Sequence, residues 1–263
     1  MSGMRTNKMH KVEEQVDDDR DSAKSLRKAL TVLQTVANAD APPTVAKVAI
    51  ESGISRPTAY RLVRTLVDEG FLKQDPQSGR LGVGLSVLTL AASLLDSNRL
   101  RLEALPHLQS LSTLTGERTN LGILHQNRVL YLGGVEKPTL PMIYSRFGKT
   151  APAHCCSLGK TLLAYNPKSV VEAVLAAEPL TPLTPNSITS VPKFLKELEV
   201  TRKRGYAIDR EEHQLHSCCI AVPIFDASKQ PVGAIGVSGR DLKPLRDHLD
   251  SLRHPAEQIS HRL

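Results

Sequence analysis

Along SLRKALTVLQTVANAD (25–40) apolar side chains recur at steps of three and four, at Leu26, Leu30, Leu33, Val36 and Ala37, until an Ala-Pro-Pro break at 41–43. That period predicts an amphipathic helix with one buried stripe. Two shorter stretches of the same kind follow, TVAKVAIESGI and SRPTAYRLVRTLVDEG, joined by a turn at Gly53, and FLKQDPQSGRLG then reads as strand, polar turn and strand. Helix, turn, helix and a two-stranded wing is the order of winged helix-turn-helix DNA-binding domains. VGLSVLTLAASLLDSNRL (83–100) is apolar almost throughout and predicts a helix ending near Asn98, and RLEALPHLQSLSTLTG predicts another, stopped by Gly116. A helix as apolar as the first of these needs a cover, either inside its own domain or across a seam with a second copy. Periodicity does not choose between the two.

From Glu117 the alternation changes to that of strands. RTNLGILHQ, NRVLYLGGVEK and PMIYSRF are strand-like, with a hairpin turn at His125, Gln126 and Asn127. HCCSLGKTLLAY, PKSVVEAVLAAE and SVPKFLKELEVTRKRGY return to helical spacing, the last stopped by Gly205. YAIDRE, SCCIAVPIFD and PVGAIGVSGRD are strands again, and LKPLRDHLDSLRHPAEQISHRL is a closing helix with an interruption at Pro255. The expected class is α+β, with one antiparallel sheet packed by helices behind the winged helix. Residues 1–22 are polar and mixed in charge, which predicts a disordered arm. The expected division is that arm, a DNA-binding domain over 23–84, a linker and dimerisation helix over 85–98, and a second domain over 99–263.

On a helical wheel Ala59, Leu62, Val63, Leu66 and Val67 share one side of the second motif helix, leaving Thr58, Arg61, Arg64 and Thr65 on the other, with Arg56 and Tyr60 flanking its start. Ser55 stands at the N-cap and Pro57 in the first turn, where a missing N–H costs nothing. Guanidiniums there suit the paired acceptors of guanine, and hydroxyls suit phosphates or thymine edges. Ser55, Arg56, Thr58, Tyr60, Arg61 and Arg64 are therefore the candidate DNA-facing residues, and Lys73 and Arg80 on the wing the candidate phosphate contacts. In an isolated helix such arginines would read as a solvated face; the preceding helix, the turn and the wing decide for DNA. The formal net charge of +7 and pI near 9.3 suit a polyanionic partner.

No apolar run approaches the roughly 18–20 residues of a membrane span, and the first residues lack the apolar core of a secretory signal, so a cytoplasmic protein without membrane association is expected. The four cysteines form the neighbouring pairs Cys155-Cys156 and Cys218-Cys219, a spacing unlike that of structural zinc sites, so neither metal nor cofactor is expected.

The segments SLRKALTVLQTV, SGISRPTAYRLVRTLVDEGFL, SLGKTLLA, RGYAIDREEH, and CCIAVPIFD followed by AIGVSG, in this order and spacing, resemble the IclR family of bacterial transcriptional regulators from about Lys24 to the C-terminus. The resemblance implies a winged helix, a linker helix that helps form a homodimer or a dimer of dimers, and a C-terminal GAF-like domain that binds a small effector. Its DNA partner would be a palindromic operator. Carried over from the family, Ser157, Leu158, Asp209, Cys219, Gly236 and Ser238 are the effector-binding positions. Each also has a plain structural reading: Ser157 as a helix cap, Leu158 as core, Asp209 as a turn residue, Cys219 as a small buried hydrophobe, Gly236 as close strand packing and Ser238 as a strand end. The chain departs from the family at His216, where glycine is frequent, at Cys218, and at Gly236, where serine is frequent.

Read for chemistry, the free N–H groups where HCCSLGK opens a helix favour a carboxylate, Ser238 adds a donor, and Asp209 an acceptor for a ligand hydroxyl. The expected effector is a small carboxylate, a sugar acid or a short keto or hydroxy acid, and the expected target a catabolic operon. Two other readings remain at this point. One is a thiol- or metal-sensing regulator built on the cysteine pairs, and the other a hydrolase with Cys155, Cys156 or Cys219 as nucleophile beside His154 or His213.

Overall fold

Apolar residues from three helices and a small ribbon close the first core. Val32 and Val36 of α1 (23–37), Val45, Val48 and Ala49 of α2 (Val45–Ser52), Ala59, Leu62 and Val63 of α3 (Arg56–Asp68), Leu72 of β1 (Leu72–Gln74) and Leu81 of β2 (Leu81–Val83) pack together. The computed structural model describes residues 23–137 and 146–263, so the arm read at 1–22 and most of the strand read at PMIYSRF lie outside the described residues. The last two residues of that stretch, Arg146 and Phe147, form a turn. The chain falls into two units, one ending at Asp96 and one beginning at Ser97.

In the first unit, Thr44 caps α2 by accepting from the Lys47 backbone N at 3.4 Å, and Gly53, at φ 67°, ends it. That left-handed residue re-aims the chain into α3 without the steric cost a Cβ would bring. Ser55 occupies the N-cap of α3, but its hydroxyl makes no capping bond and instead donates to Thr58 Oγ1 at 2.9 Å. One of the two backbone donors a cap normally reaches is missing, because the second helical residue is Pro57. β1 and β2 pair antiparallel, and Asp75 organises the turn between them by accepting from the Ser78 backbone N at 2.7 Å. Beyond the wing, a Cβ on Gly84 would stand 2.0 Å from the Gly70 carbonyl oxygen, so only glycine fits there. α4 (Ser86–Ser97) follows and buries none of its residues.

The second unit begins with α5 (Arg99–Thr115), capped by Asn98 and ended at Gly116. β3 (Arg118–His125) and β4 (Arg128–Val135) form a hairpin whose two turn residues, Gln126 and Asn127, both have positive φ, 46° and 66°. Such a turn matches the right-handed twist of the paired strands. β5 (Thr150–Pro152), a 3-10 turn (Ala153–Cys155), α6 (Ser157–Tyr165), α7 (Lys168–Ala177), α8 (Val191–Arg204), β6 (Ala207–Arg210), β7 (Cys218–Phe225), β8 (Pro231–Gly239), α9 (Leu242–Asp247) and α10 (Leu249–Arg262) complete it. The sheet order is β5-β4-β3-β8-β7-β6, antiparallel throughout.

Alternation along β7 and β8 sends Ile220, Val222, Ile235 and Val237 to one face, where they pack on Leu108 and Leu111 of α5 and Leu252 and Ile259 of α10. Ala221 and Ala234 point the other way, toward Leu158 and Leu162 of α6 and Phe194 of α8. The sheet is thus sandwiched by helices, and small side chains on its α6 face let that helix lie close. A Cβ on Gly159 would stand 2.2 Å from the Ala153 carbonyl oxygen.

Two local expectations are corrected. Pro255 sits inside α10, and the closing segment breaks instead at His248, φ −95° and ψ 11°. A turn there lets Leu245 and Leu252, on either side of it, both reach the core. The helix read from HCCSLGK begins only at Ser157, since Cys156 is extended at φ −129°, ψ 148°.

Candidate functional site

α3 presents the face its sequence pattern implies. Ala59, Leu62 and Val63 are buried, while Ser55, Arg56, Tyr60, Arg61 and Arg64 are exposed and Thr58 is half-buried. Arg64 Nε lies 4.0 Å from Asp68 Oδ2 with both side chains in solvent, a pair too weak to hold the arginine away from another anion. Lys73 is exposed on β1. Arg80 differs from expectation in one respect: its Nη1 donates to the Pro42 carbonyl at 2.7 Å, and its backbone bridges to Thr44. The side chain that was to meet phosphate also ties the wing to the start of α2.

In the second unit, strand register sets a polar row into an otherwise apolar surface. Asp209 on β6 stands opposite Cys219 on β7, Cys219 opposite Ser238 on β8, and Ser238 opposite Arg118 on β3. The Cys219 thiol lies 3.0 Å from Ser238 Oγ, and Asn120 Nδ2 donates to the same oxygen at 2.8 Å. Over this row comes the first turn of α6, with Ser157 and Leu158. Together with Tyr131, Arg146, Cys156, His213 and Ser217 these residues line a cavity with a free interior of about 20 Å³. It is pinched, so that its free interior admits little more than one water.

Five of the six positions carried over from the family therefore converge on one cavity. Gly236 is not among the lining residues: a Cβ there would meet the Ile220 carbonyl oxygen at 2.7 Å, which is the close strand packing of its plain reading. Sequence reasoning missed Arg118, Asn120, Tyr131, Arg146 and Ser217. Arg118 and Asn120 did leave a signal, polar residues two apart and so on one face of β3; Arg146 left none, because it reaches the cavity from a turn.

The buried charges beside the cavity are coupled. Asp209 is almost wholly buried, and burial raises its pKa to about 7 although its carboxylate accepts the Glu212 backbone N–H at 2.7 Å. Lys160, fully buried on α6, donates to Glu212 Oε1 at 2.6 Å, and its charge also pulls against the rise in the Asp209 pKa. The Glu212 carbonyl in turn accepts from Ser187 Oγ at 2.6 Å, which pins the loop after α7 to the strand end carrying Asp209. Burial, reinforced by Arg146 and Arg128, lowers the pKa of His213 and keeps it neutral.

Burial acts on the thiols in the direction it acts on Asp209. Burial pushes Cys155 and Cys219 up to about 12 and Cys156 higher still, so none offers a thiolate near neutrality. His154 Nε2 is engaged with the Thr181 carbonyl at 3.1 Å. Among the described residues no group of three or more His, Cys, Asp or Glu is placed to hold a metal, and no helix is long and apolar enough to cross a membrane.

A winged helix bearing exposed arginines, followed by a sheet domain with an interior polar cavity, is the architecture of a DNA-binding transcriptional regulator. Residues 25–76 match the IclR helix-turn-helix domain and residues 92–262 the bacterial transcriptional regulator IclR C-terminal domain. The chain belongs to the IclR family. It is 36% identical to the glycerol operon regulatory protein of Streptomyces coelicolor, over 82% of this chain and 84% of that protein. A crystal structure of an IclR transcriptional regulator from Alicyclobacillus acidocaldarius is similar at a TM-score of 0.80 and 28% identity, covering 90% of this chain and 98% of that one. An IclR homologue from Microbacterium hydrocarbonoxydans, in complex with 4-hydroxybenzoate, is similar at a TM-score of 0.77 and 26% identity, with the same two coverages of 90% and 98%. These relatives are regulators, and the chain is a regulator rather than an enzyme.

Proposed function

We propose that this regulator binds a small organic acid in the cavity between α6 and the β6-β7-β8 edge of the sheet, and that occupancy changes its grip on a palindromic operator of a catabolic operon. The observation that carries the reading is the Asp209, Cys219, Ser238 row. Polar side chains set into the interior face of a packed sheet are costly unless paired, and this row, partly paired within itself, borders a small polar cavity. The first-turn N–H groups of α6 favour an anion, and Ser238 supplies a donor from the sheet. Asp209, with a pKa near neutrality, serves a ligand hydroxyl as acceptor or as donor.

Titration calorimetry of the purified chain against a panel of sugar, hydroxy and keto acids tests this. Ser238→Ala and Asp209→Ala are each expected to lower affinity for the acid that binds by roughly 1 kcal/mol or more, through loss of charge-assisted bonds. Absence of binding by every acid, or affinities unmoved by both substitutions, rules the reading out. An aromatic acid is the second reading, favoured by the relative's complex with 4-hydroxybenzoate. It ranks lower because Tyr131 alone among the Phe and Tyr side chains of the described residues lines the cavity, which leaves one platform for a ring.

On the DNA side, we propose that two copies associate through α4, as a homodimer or within a dimer of dimers, so that two copies of α3 enter successive major grooves. The support is the exposure of Leu85, Leu88, Leu90 and Leu94, at 82%, 65%, 61% and 58%. Leu95, which the sequence pattern groups with them, is half-buried, so the exposed stripe runs through Leu90 and Leu94 instead.

A further inference from the structure

The cavity beside Asp209 and Ser238 admits about one water, so a larger molecule enters only if part of the wall moves. Most of that wall is fixed. Its residues sit on β3, β4, β6, β7 and β8, held by the ladders of the sheet, or at the start of α6, apart from Arg146 in its turn. His213 and Ser217 differ, because they belong to the connection between β6 and β7, residues 211–217, which is neither helix nor strand. Its tip, Gln214, Leu215 and His216, is exposed. A segment with so little buried surface opens at a lower free-energy cost than the strands it joins.

Both ends of this connection are left-handed. Glu211 has φ 59° and His216 φ 60°, a conformation that residues with a Cβ hold only where their surroundings impose it. At the β6 end those surroundings form a fixed post. Thr184 Oγ1 donates to the Glu211 carbonyl and Ser187 Oγ to the Glu212 carbonyl, each at 2.6 Å, and the buried Glu212 carboxylate is paired with Lys160. The other end is held by a clasp: Glu211 Oε2 accepts the His216 backbone N–H at 3.0 Å, which closes the connection onto its own base. From inside the cavity Asp209 accepts from the backbone of Glu212 at 2.7 Å and from that of His213. The carboxyl offered to a ligand hydroxyl therefore also holds the first residue of the mobile stretch.

We propose that residues 213–217 are a lid, shut in this structure, which turns on the Glu212 post when the Glu211 to His216 clasp parts and so admits the effector. For what enters, this rests on the acid-binding reading above; the motion itself is measurable without any acid.

Labelling of the intact protein with N-ethylmaleimide, read thiol by thiol from the fragmentation of its peptides, tests it. The reagent is much larger than one water, so it reaches Cys219 in the cavity only past an open lid. Cys155, fully buried and outside the lining, reports general loosening. Glu211→Ala removes the clasp while leaving the post, and should raise the Cys219 rate at least five-fold with Cys155 unchanged within two-fold. Glu211→Gln, which keeps an acceptor, should stay near the parent rate. A Cys219 rate unmoved by Glu211→Ala, or one that rises in step with Cys155, overturns the lid. The sugar, hydroxy and keto acids form a separate arm, in which the acid that binds should slow the labelling of Cys219. If none slows it while the variants behave as stated, the lid stands and the acid-binding reading falls.

Discussion

At the scale of single residues, Asp209 ties the pocket to pH. Its folded-state pKa is raised by burial to about 7, above the ordinary carboxyl value, so the native chain holds a proton that the unfolded chain has released. The stability this contributes is complete below the unfolded pKa and is lost as pH rises through the folded one. Between about pH 5 and about pH 8 the second unit should therefore become less stable, and Asp209→Asn should flatten that dependence; urea midpoints at stepped pH check it, and an unchanged slope in the variant sinks the assignment. Residue identity in the sequence pointed to Asp209 and Ser238 through motif resemblance alone, and it could not show the pKa, which depends first on burial and then on Lys160 arriving from α6. Arg146 and Tyr131 were illegible for a related reason. Their shared position depends on the hairpin register and a turn, which no local pattern encodes.

Elements were far more legible than side-chain environments, because their hydrophobic periods are local. The helices of the winged domain, the hairpin at Gln126 and Asn127, and the strands and helices of the sheet domain follow directly from spacing and turn residues. Where local pattern misled, a longer-range contact decided: the bend fell at His248 rather than Pro255 because two leucines on either side had a core to reach. For α3 and its wing the pattern makes a separable prediction. Arg61→Ala, at an exposed position on the outward face, should cost about 1–3 kcal/mol of discrimination between operator and random duplex. Lys73→Ala should weaken both alike and reduce the salt dependence of binding by about one released counterion. Gel-shift titrations over a salt series distinguish the two; loss of discrimination in the lysine variant, or none in the arginine variant, would contradict the assignment.

For the whole molecule, the proposed assembly of copies through the exposed stripe of α4 makes a direct prediction. Leu88→Glu combined with Leu94→Glu places charge in the proposed seam, so sedimentation at micromolar concentration should shift from dimer or higher to monomer, and operator affinity should fall with it. A parent chain that sediments as a monomer yet binds its operator fully would end the proposal. The apolar clusters carry one more consequence. Among the described residues, the core around Val48 and Leu62 draws only on residues before Asp96, and the two clusters against the sheet draw only on residues after Ser97. Heat should therefore melt the protein in two calorimetric transitions rather than one. An acid bound in the cavity should raise the midpoint of one transition only, by an amount that grows with the logarithm of its concentration, while Val48→Ala lowers the other alone.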